Sequence, residues 1–314
     1  MALDISQITA ASYPAVLAES RKATNQWAEN AALKALEKAG FVQRVSLGPT
    51  IEIPLDYRVN PDVSVMVGDQ DTASLVKTEV LTAASYNVAQ LNVPVTWTKG
   101  DEAKNPTENQ KISFSRAIME NGITSHDDQL EQRIFTSSSA GGVEISGLDD
   151  LVHTAGTGTI GGIVSGTETW WKNQFDTFVD GSDIEATMTE LFDNCAKGSG
   201  SSNQPTILIS GSATHSLFES QLQSQRTYIS SEEADSGYKV LAFKGAKYIF
   251  SHKGGTKVYF LNPKNYQMVV SSQYFRDKGE TNQVNGQNAF YFLIYSALQF
   301  CVAQRWRLGV MSQA

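Results

Sequence analysis

The residues best equipped for chemistry are few, and their spacing is poor for it. Gly156-Thr157-Gly158-Thr159-Ile160-Gly161 has the spacing of a dinucleotide-binding loop. That loop works where a strand ends and a helix begins, so that the helix N-terminus meets a pyrophosphate. Here Gly162, Val164, Gly166 and Thr167 follow, a poor helix former, and no Lys-Ser/Thr pair completes a phosphate loop. A tightly turned or flexible glycine loop is the reading the context favours. A hydrolase would need an exposed nucleophile with a base in reach, yet no Gly-x-Ser-x-Gly occurs. His126, His153, His215 and His252 stand singly in the sequence, none with a partner at metal-ligand spacing, and Ser212 with His215 reads as a helix start. The carboxylates of Glu232, Glu233 and Asp235 lack the spacing and glycine placement of a calcium loop. No cofactor or metal is therefore expected, and no catalysis.

Composition narrows the class further. Of 314 residues, 41% are hydrophobic and 18% charged, with a net charge of −8. A chain that grips phosphates needs clustered Lys and Arg to release counterions, so tight nucleic-acid binding is not expected. Cys195 and Cys301 stand far apart and signal neither a disulfide framework nor a zinc site. The first residues, Met1-Ala2-Leu3-Asp4-Ile5, lack the pattern of a secretory leader, and no run is long and apolar enough to span a membrane. A protein made in the cytosol, with no membrane partner, is expected. Trp170-Trp171 is an outlier, because two adjacent indoles cannot both enter one core from a regular element. One would anchor the core while the other packs at an interface, or both would serve internally.

The elements that would carry these residues can be read from hydrophobic periodicity. Leu17, Trp27, Ala31, Leu36 and Ala39 predict a helix over residues 15–40, stopped by Gly40 and preceded by a loose arm. From Phe41 the pattern turns to β, with Ile51, Ile53 and Leu55 alternating and a second run from Glu79 to Trp97 that would span roughly 60 Å if extended. This predicts a long hairpin whose prolines, Pro54 and Pro94, suit edge strands. Two strands alone are marginal in water, so the hairpin needs a surface from elsewhere. Its tip, Val63 to Thr72, sets Val65, Met66 and Val67 beside Asp69 and Asp71, an apolar patch with an acidic rim.

Asn105-Pro106-Thr107-Glu108 reads as a helix start, with Asn105 as cap and Glu108 closing a capping box. Ile112, Met119, Ile123, Leu130 and Ile134 then share one face of a helix running to Ser137, unless Asn121-Gly122 bends it or divides it in two. In the second half, residues 168–197 read as helical around Ile184, Met188, Leu191 and Phe192. Thr206–Ser210 is a buried strand and Ala213–Gln223 a helix. Tyr238–Ser271 reads as short strands with Lys253-Gly254-Gly255-Thr256 as a hairpin turn, and Asn288–Val310 as paired long strands.

Three strings carry a family resemblance: Gly147-Leu148-Asp149-Asp150-Leu151-Val152, then Gly158-Thr159-Ile160-Gly161-Gly162-Ile163, then Trp170-Trp171-Lys172-Asn173-Gln174. Together with the order of elements they resemble the "GLxxLV, GTxGGI, WWxNQ" series of tailed-bacteriophage major capsid proteins, the Hong Kong 97-like fold also seen in encapsulin shells. The resemblance covers essentially the whole chain and is strongest from Glu79 to Gln174. It implies an α+β fold with an N-terminal arm and helix (residues 1–44), an extended β-hairpin loop (45–98), a peripheral domain with a long spine helix (99–143 and 288–314) and a mixed α/β axial domain (144–287). It implies a non-enzymatic subunit that assembles with itself as hexamers and pentamers of an icosahedral virion shell, built in the bacterial cytoplasm. That shell would enclose double-stranded DNA without tight specific binding, with a portal and scaffolding or decoration proteins as partners. The loop would lie across a neighbouring subunit, making Val65, Met66, Val67, Trp170 and Trp171 candidate inter-subunit residues. Lys77 lies where some members carry a crosslinking lysine, but no partner Asn or catalytic carboxylate is identifiable, so it reads as a solvated charge. No protease-removed scaffolding segment is expected, because the fold-like pattern starts within the first 15 residues. An encapsulin-type compartment, a nucleotide-binding enzyme and a β-rich adhesive module are the competing readings.

Overall fold

A computed structural model describes residues 30–46, 48–63, 68, 77–136, 145–181, 183–197, 204–221 and 241–314. The chain opens with helix α1 (Ala31–Lys38), whose Ala32, Leu33 and Leu36 are buried. Residues 15–29 of the expected longer helix lie outside the described residues. Strands β1 (Val42–Val45), β2 (Thr50–Asp56), β3 (Leu81–Asn87) and β4 (Ala89–Thr98) follow.

The run from Glu79 to Trp97 is two strands with different partners. Its outer part, β3, pairs antiparallel with β2 from Thr50↔Asn87 to Asp56↔Leu81. Its inner part, β4, leaves the hairpin and pairs with the 14-residue strand β15 (Ala289–Val302), from Ala289↔Thr98 to Leu298↔Ala89. Pro54 and Pro94 do sit on edge strands, where a missing N–H costs no ladder bond.

The helix start is shifted from its expected place. Thr98 and Asp101 form a capping box for a short helix, α2 (Lys99–Lys104), with Thr98 N–H donating to Asp101 Oδ2 (3.0 Å) and Asp101 N–H to Thr98 Oγ1 (3.2 Å). Asn105 closes α2 instead of opening the next helix, its side chain donating to Asp101 O (2.9 Å). The long helix α3 (Glu108–Phe135) begins after Thr107, whose N–H donates to Gln110 Oε1 (3.3 Å). Its 28 residues run unbroken for about 42 Å. Gly122 is there for packing: a Cβ would lie 2.6 Å from Val95 Cγ2 and 3.0 Å from Ile294 Cδ1, so only glycine lets the helix approach β4 and β15 this closely. Met119, Ile123, Leu130 and Ile134 are buried as expected, but Ile112 is 44% exposed because the first turns of α3 extend past the sheet they pack on.

The second half continues with α4 (Leu148–Leu151), β5 (Thr159–Ile160), β6 (Ile163–Val164), β7 (Gln174–Phe178), α5 (Ile184–Ala196), β8 (Ile207–Ser210), α6 (Ser212–Gln221), β9 (Leu241–Phe243), β10 (Ala246–Phe250), β11 (Val258–Leu261), β12 (Tyr266–Ser271), β13 (Asp277–Lys278), β14 (Asn282–Gln283) and, after β15, β16 (Gly309–Gln313). Residues 174–178, expected to be helical, form a strand, while the buried face Ile184, Met188, Leu191 and Phe192 of α5 is as expected.

Two six-stranded sheets organise the molecule. In the first, β15 is central: β4 lies along one edge, β12, β13 and β14 along the other, and β1 adds to β12 in parallel. The second has the order β7-β16-β11-β8-β10-β9. Lys253-Gly254-Gly255-Thr256 is therefore no hairpin turn, since β10 and β11 flank β8 on opposite sides. Nor do β15 and β16 pair with each other; they belong to different sheets. The segments expected as loop and domains are cut across by this topology, because β4 joins the first sheet and β16 the second. Strands β8 and β11 are buried along their whole length, as a sheet covered on both faces requires. One face meets the main core, through Ile207, Ile209, Tyr259 and Leu261, and the other meets α5 and α6 through Leu208, Val258 and Phe260.

Candidate assembly site

The β2–β3 hairpin is a two-stranded sheet with one face covered. Ile51, Ile53, Leu55, Ala84 and Tyr86 turn inward and pack on the main core, while the alternate residues face solvent. Tyr86 fastens the base of the hairpin to β15, donating its hydroxyl proton to Val302 O (3.0 Å) and accepting from Val302 N–H (3.3 Å). Beyond Asp56 the chain is joined by local bonds, Tyr57 N–H to Val80 O (3.1 Å) and Thr78 Oγ1 to Asp62 Oδ2 (3.0 Å), and none of the described residues there is buried. Val59 is 87%, Val63 78% and Leu81 71% exposed. Val65, Met66 and Val67 lie outside the described residues. Lys77 is exposed.

The seat of the hairpin is built from the glycine motif. Strands β5 and β6 form a small hairpin whose turn residues, Gly161 and Gly162, have φ of +60° and +78°, the left-handed pair that a tight two-residue turn needs. A Cβ on Gly161 would lie 2.7 Å from Ala84 Cβ, and Gly161 O accepts from Ser85 N–H (3.0 Å). The motif thus sits between two short strands and receives the base of the long hairpin, a context unlike the strand-to-helix junction that cradles a pyrophosphate. The two indoles next to it divide their work. Trp171 is 1% exposed and donates Nε1–H to Ile160 O (3.0 Å), so it is an internal anchor and offers nothing to a neighbour. Trp170 is half-buried, stacks on Tyr57 with ring centroids 5.1 Å apart and donates to Glu168 Oε2 (2.6 Å). A groove of about 420 Å³ opens beside it, lined by Tyr57, Leu81, Ile163, Val164 and Glu168.

Arg305 went unnoticed in the sequence although it ties these parts together. It is fully buried and donates to three carbonyls: Leu151 O (2.9 Å), Trp171 O (3.0 Å) and Thr157 O (2.9 Å). Each acceptor lies in or beside one of the three strings that carry the resemblance. Burial pushes the guanidinium down to about 10, which leaves it charged at neutral pH. Its signal was the pair Arg305 and Arg307 interrupting the apolar runs that end at Val302 and resume at Leu308.

Folding also assembles a Ser-His-Asp constellation that sequence spacing hid. His126 lies between Asp127 Oδ1 (3.3 Å from Nδ1) and Ser296 Oγ (2.9 Å from Nε2). The hydroxyl is not available for attack: Ser296 and His126 are both fully buried, and Ser296 Oγ accepts from Arg276 N–H (2.8 Å). Burial acts to raise the Asp127 carboxyl, but the hydrogen bond from His126 and the Arg276 charge, 2.6 Å away, outweigh it and hold Asp127 below the usual carboxylate range. The group is a bridge between α3 and β15. Ser212 opens α6, and His215 is buried between Tyr248 and Phe250, with ring centroids at 4.9 and 5.1 Å. Among the described residues no three potential ligands are grouped to hold a metal ion, and no helix is long and apolar enough to cross a membrane.

No family model matches the chain, and no curated protein sequence is similar to it. Solved structures are. The chain is similar to the "Cyanophage A-1(L) capsid asymmetric unit", with a TM-score of 0.62 at 16% identity over 87% of this chain and 90% of that one. It is also similar to the capsid of Myoviridae phage XM1 (TM-score 0.54, 10% identity, 88% and 91% covered). A third is the holo-SrpI encapsulin complex from Synechococcus elongatus PCC 7942 (TM-score 0.54, 11% identity, 88% and 86% covered). Likeness over nearly the full length of both partners gives the fold, which is α+β and Hong Kong 97-like.

Proposed function

We propose that this chain is the major capsid protein of a tailed bacteriophage, a structural subunit without catalysis that assembles with its own copies into an icosahedral shell. One observation carries the reading: over 87% of its length the chain has the fold of a capsid structure, and it projects a hairpin whose outer part exposes Val59, Val63 and Leu81, with none of the described residues between Asp56 and Leu81 buried. A neighbouring subunit supplies the missing surface. On this reading hexamers and pentamers close the shell. The hairpin and the Trp170 groove are contact surfaces, with Val65, Met66 and Val67 continuing the apolar patch toward the tip. The chain through α1 serves as arm and the β2–β3 hairpin as extended loop, with the first sheet and α3 as the peripheral part and the second sheet as the axial part. The net charge of −8 suits a container that packages double-stranded DNA without gripping it. Assembly takes place in the host cytoplasm, with a portal and scaffolding or decoration proteins as partners.

Likeness to the encapsulin complex supports a second reading, a protein compartment. Negative-stain electron microscopy of the purified full-length protein, followed by analysis of particle contents, separates the two. Closed particles or capsomer rings are expected; packaged DNA and a portal vertex favour the phage head, enclosed protein cargo favours the compartment. A monomer under every condition, alone and with the products of neighbouring genes, overturns both.

A further inference from the structure

Helix α1 docks on α3 through carboxylates instead of a purely apolar seam. Glu131, fully buried on α3, accepts from Leu33 N–H in the first turn of α1 (3.5 Å) and from Ser251 Oγ at the end of β10 (2.6 Å), so one side chain joins the arm helix, the long helix and the second sheet. One turn earlier on α3, Asp127 pairs with Arg276 (2.6 Å), which also reaches Glu37 of α1 (3.5 Å). The other charged groups facing the contact are Lys34 from α1, His126 and Asp128 from α3, and Lys253, which bonds Asp128 and lies beyond Ser251. A cleft of about 530 Å³, lined by Leu33, Lys34, Glu37, Asp127 and Arg276, runs along the same contact, so solvent already stands on one side of it.

We propose that Glu131 is a proton-operated latch for the arm helix: protonated, it lets α1 stay seated on α3, and ionised, it is a buried charge that favours release of α1. Two opposing influences act on the group. Burial disfavours the charged form, while the Ser251 and Leu33 bonds and the Lys253 charge favour it; burial prevails and pushes the carboxyl up to about 7. A carboxyl raised in the docked state stabilises docking below its ordinary value near 4.5 and loses that contribution as pH rises toward about 7. Asp127, held low, is ionised throughout that window, so its pairing with Arg276 is a constant background there.

The test is hydrogen exchange of the α1 amides in the full-length chain, corrected for intrinsic rates. Protection is expected to be roughly tenfold higher at about pH 5 than at about pH 7.5. Glu131→Gln, which keeps the shape and cannot ionise, should be protected equally at both. A flat wild-type profile overturns the proposal, and so does a slope that survives in Glu131→Gln. Should Glu131→Gln fail to fold, Ser251→Ala serves instead: removing a bond to the ionised carboxylate must shift the midpoint to higher pH, and an unmoved midpoint rules Glu131 out.

Discussion

Strands β8 and β11, four residues each, and the hairpin β2–β3, with seven residues in each strand, stand at opposite ends of self-sufficiency. The former bury every residue between two clusters of this same chain. The latter covers one face and then runs on past Asp56 into solvent with Val59 and Val63 exposed. The difference teaches that stability and assembly are separable here: the second sheet holds the subunit together, whereas the outer hairpin has little to gain until another surface meets it.

Substitutions should separate the two roles, and the largest effect on folding belongs to Arg305. Arg305→Ala leaves three carbonyls, two of them buried, without their donor and should cost about 4 kcal/mol, read as a fall in the denaturation midpoint. A loss below about 1 kcal/mol would mean that the three motifs are held by something other than this side chain. Gly122→Ala gains about 1 kcal/mol of helix propensity but drives a methyl toward Val95 and Ile294; the clash should win, for a net cost of about 1 to 2 kcal/mol. Trp170→Ala loses the stack on Tyr57 and should cost about 1 kcal/mol of subunit stability. Deleting residues 62–73 should leave thermal stability within about 0.5 kcal/mol of the parent and abolish closed shells in electron micrographs. Normal shells from that deletion would remove the hairpin from assembly, and an unfolded subunit would erase the contrast between the two regions.

Much of the local structure was legible in the sequence. The buried positions Met119, Ile123, Leu130 and Ile134 of α3, the strand at Ile207–Ser210 and the buried face of α5 follow from period and propensity, and the tight turn at Gly161-Gly162 follows from what glycine alone tolerates. The capping box was placed two residues early, at Asn105 instead of Thr107, because Asn105 can end a helix as readily as begin one. For Trp170-Trp171 the sequence left open whether one indole or both serve internally, and the fold buries Trp171 while leaving Trp170 half-buried. The candidate residues Val65, Met66 and Val67 lie outside the described residues and rest on their sequence alone.

Everything that depends on distant partners was decided by tertiary structure. Nothing in the run from Glu79 to Trp97 shows that it changes partners at Val88, nor in Asn288–Val310 that its two strands part for different sheets. His126 and Ser296 meet from 170 residues apart, and Glu131 finds Leu33 and Ser251 on either side of it. Periodicity and glycine conformation are encoded within a few neighbours, so the sequence by itself determines many helices, strands and turns, but not residues 174–178, which read as helical and form a strand beside distant β16. Strand pairing and the satisfaction of buried polar groups are settled only when those segments pack, since each donor or carboxylate removed from water takes whichever partner the fold brings to it.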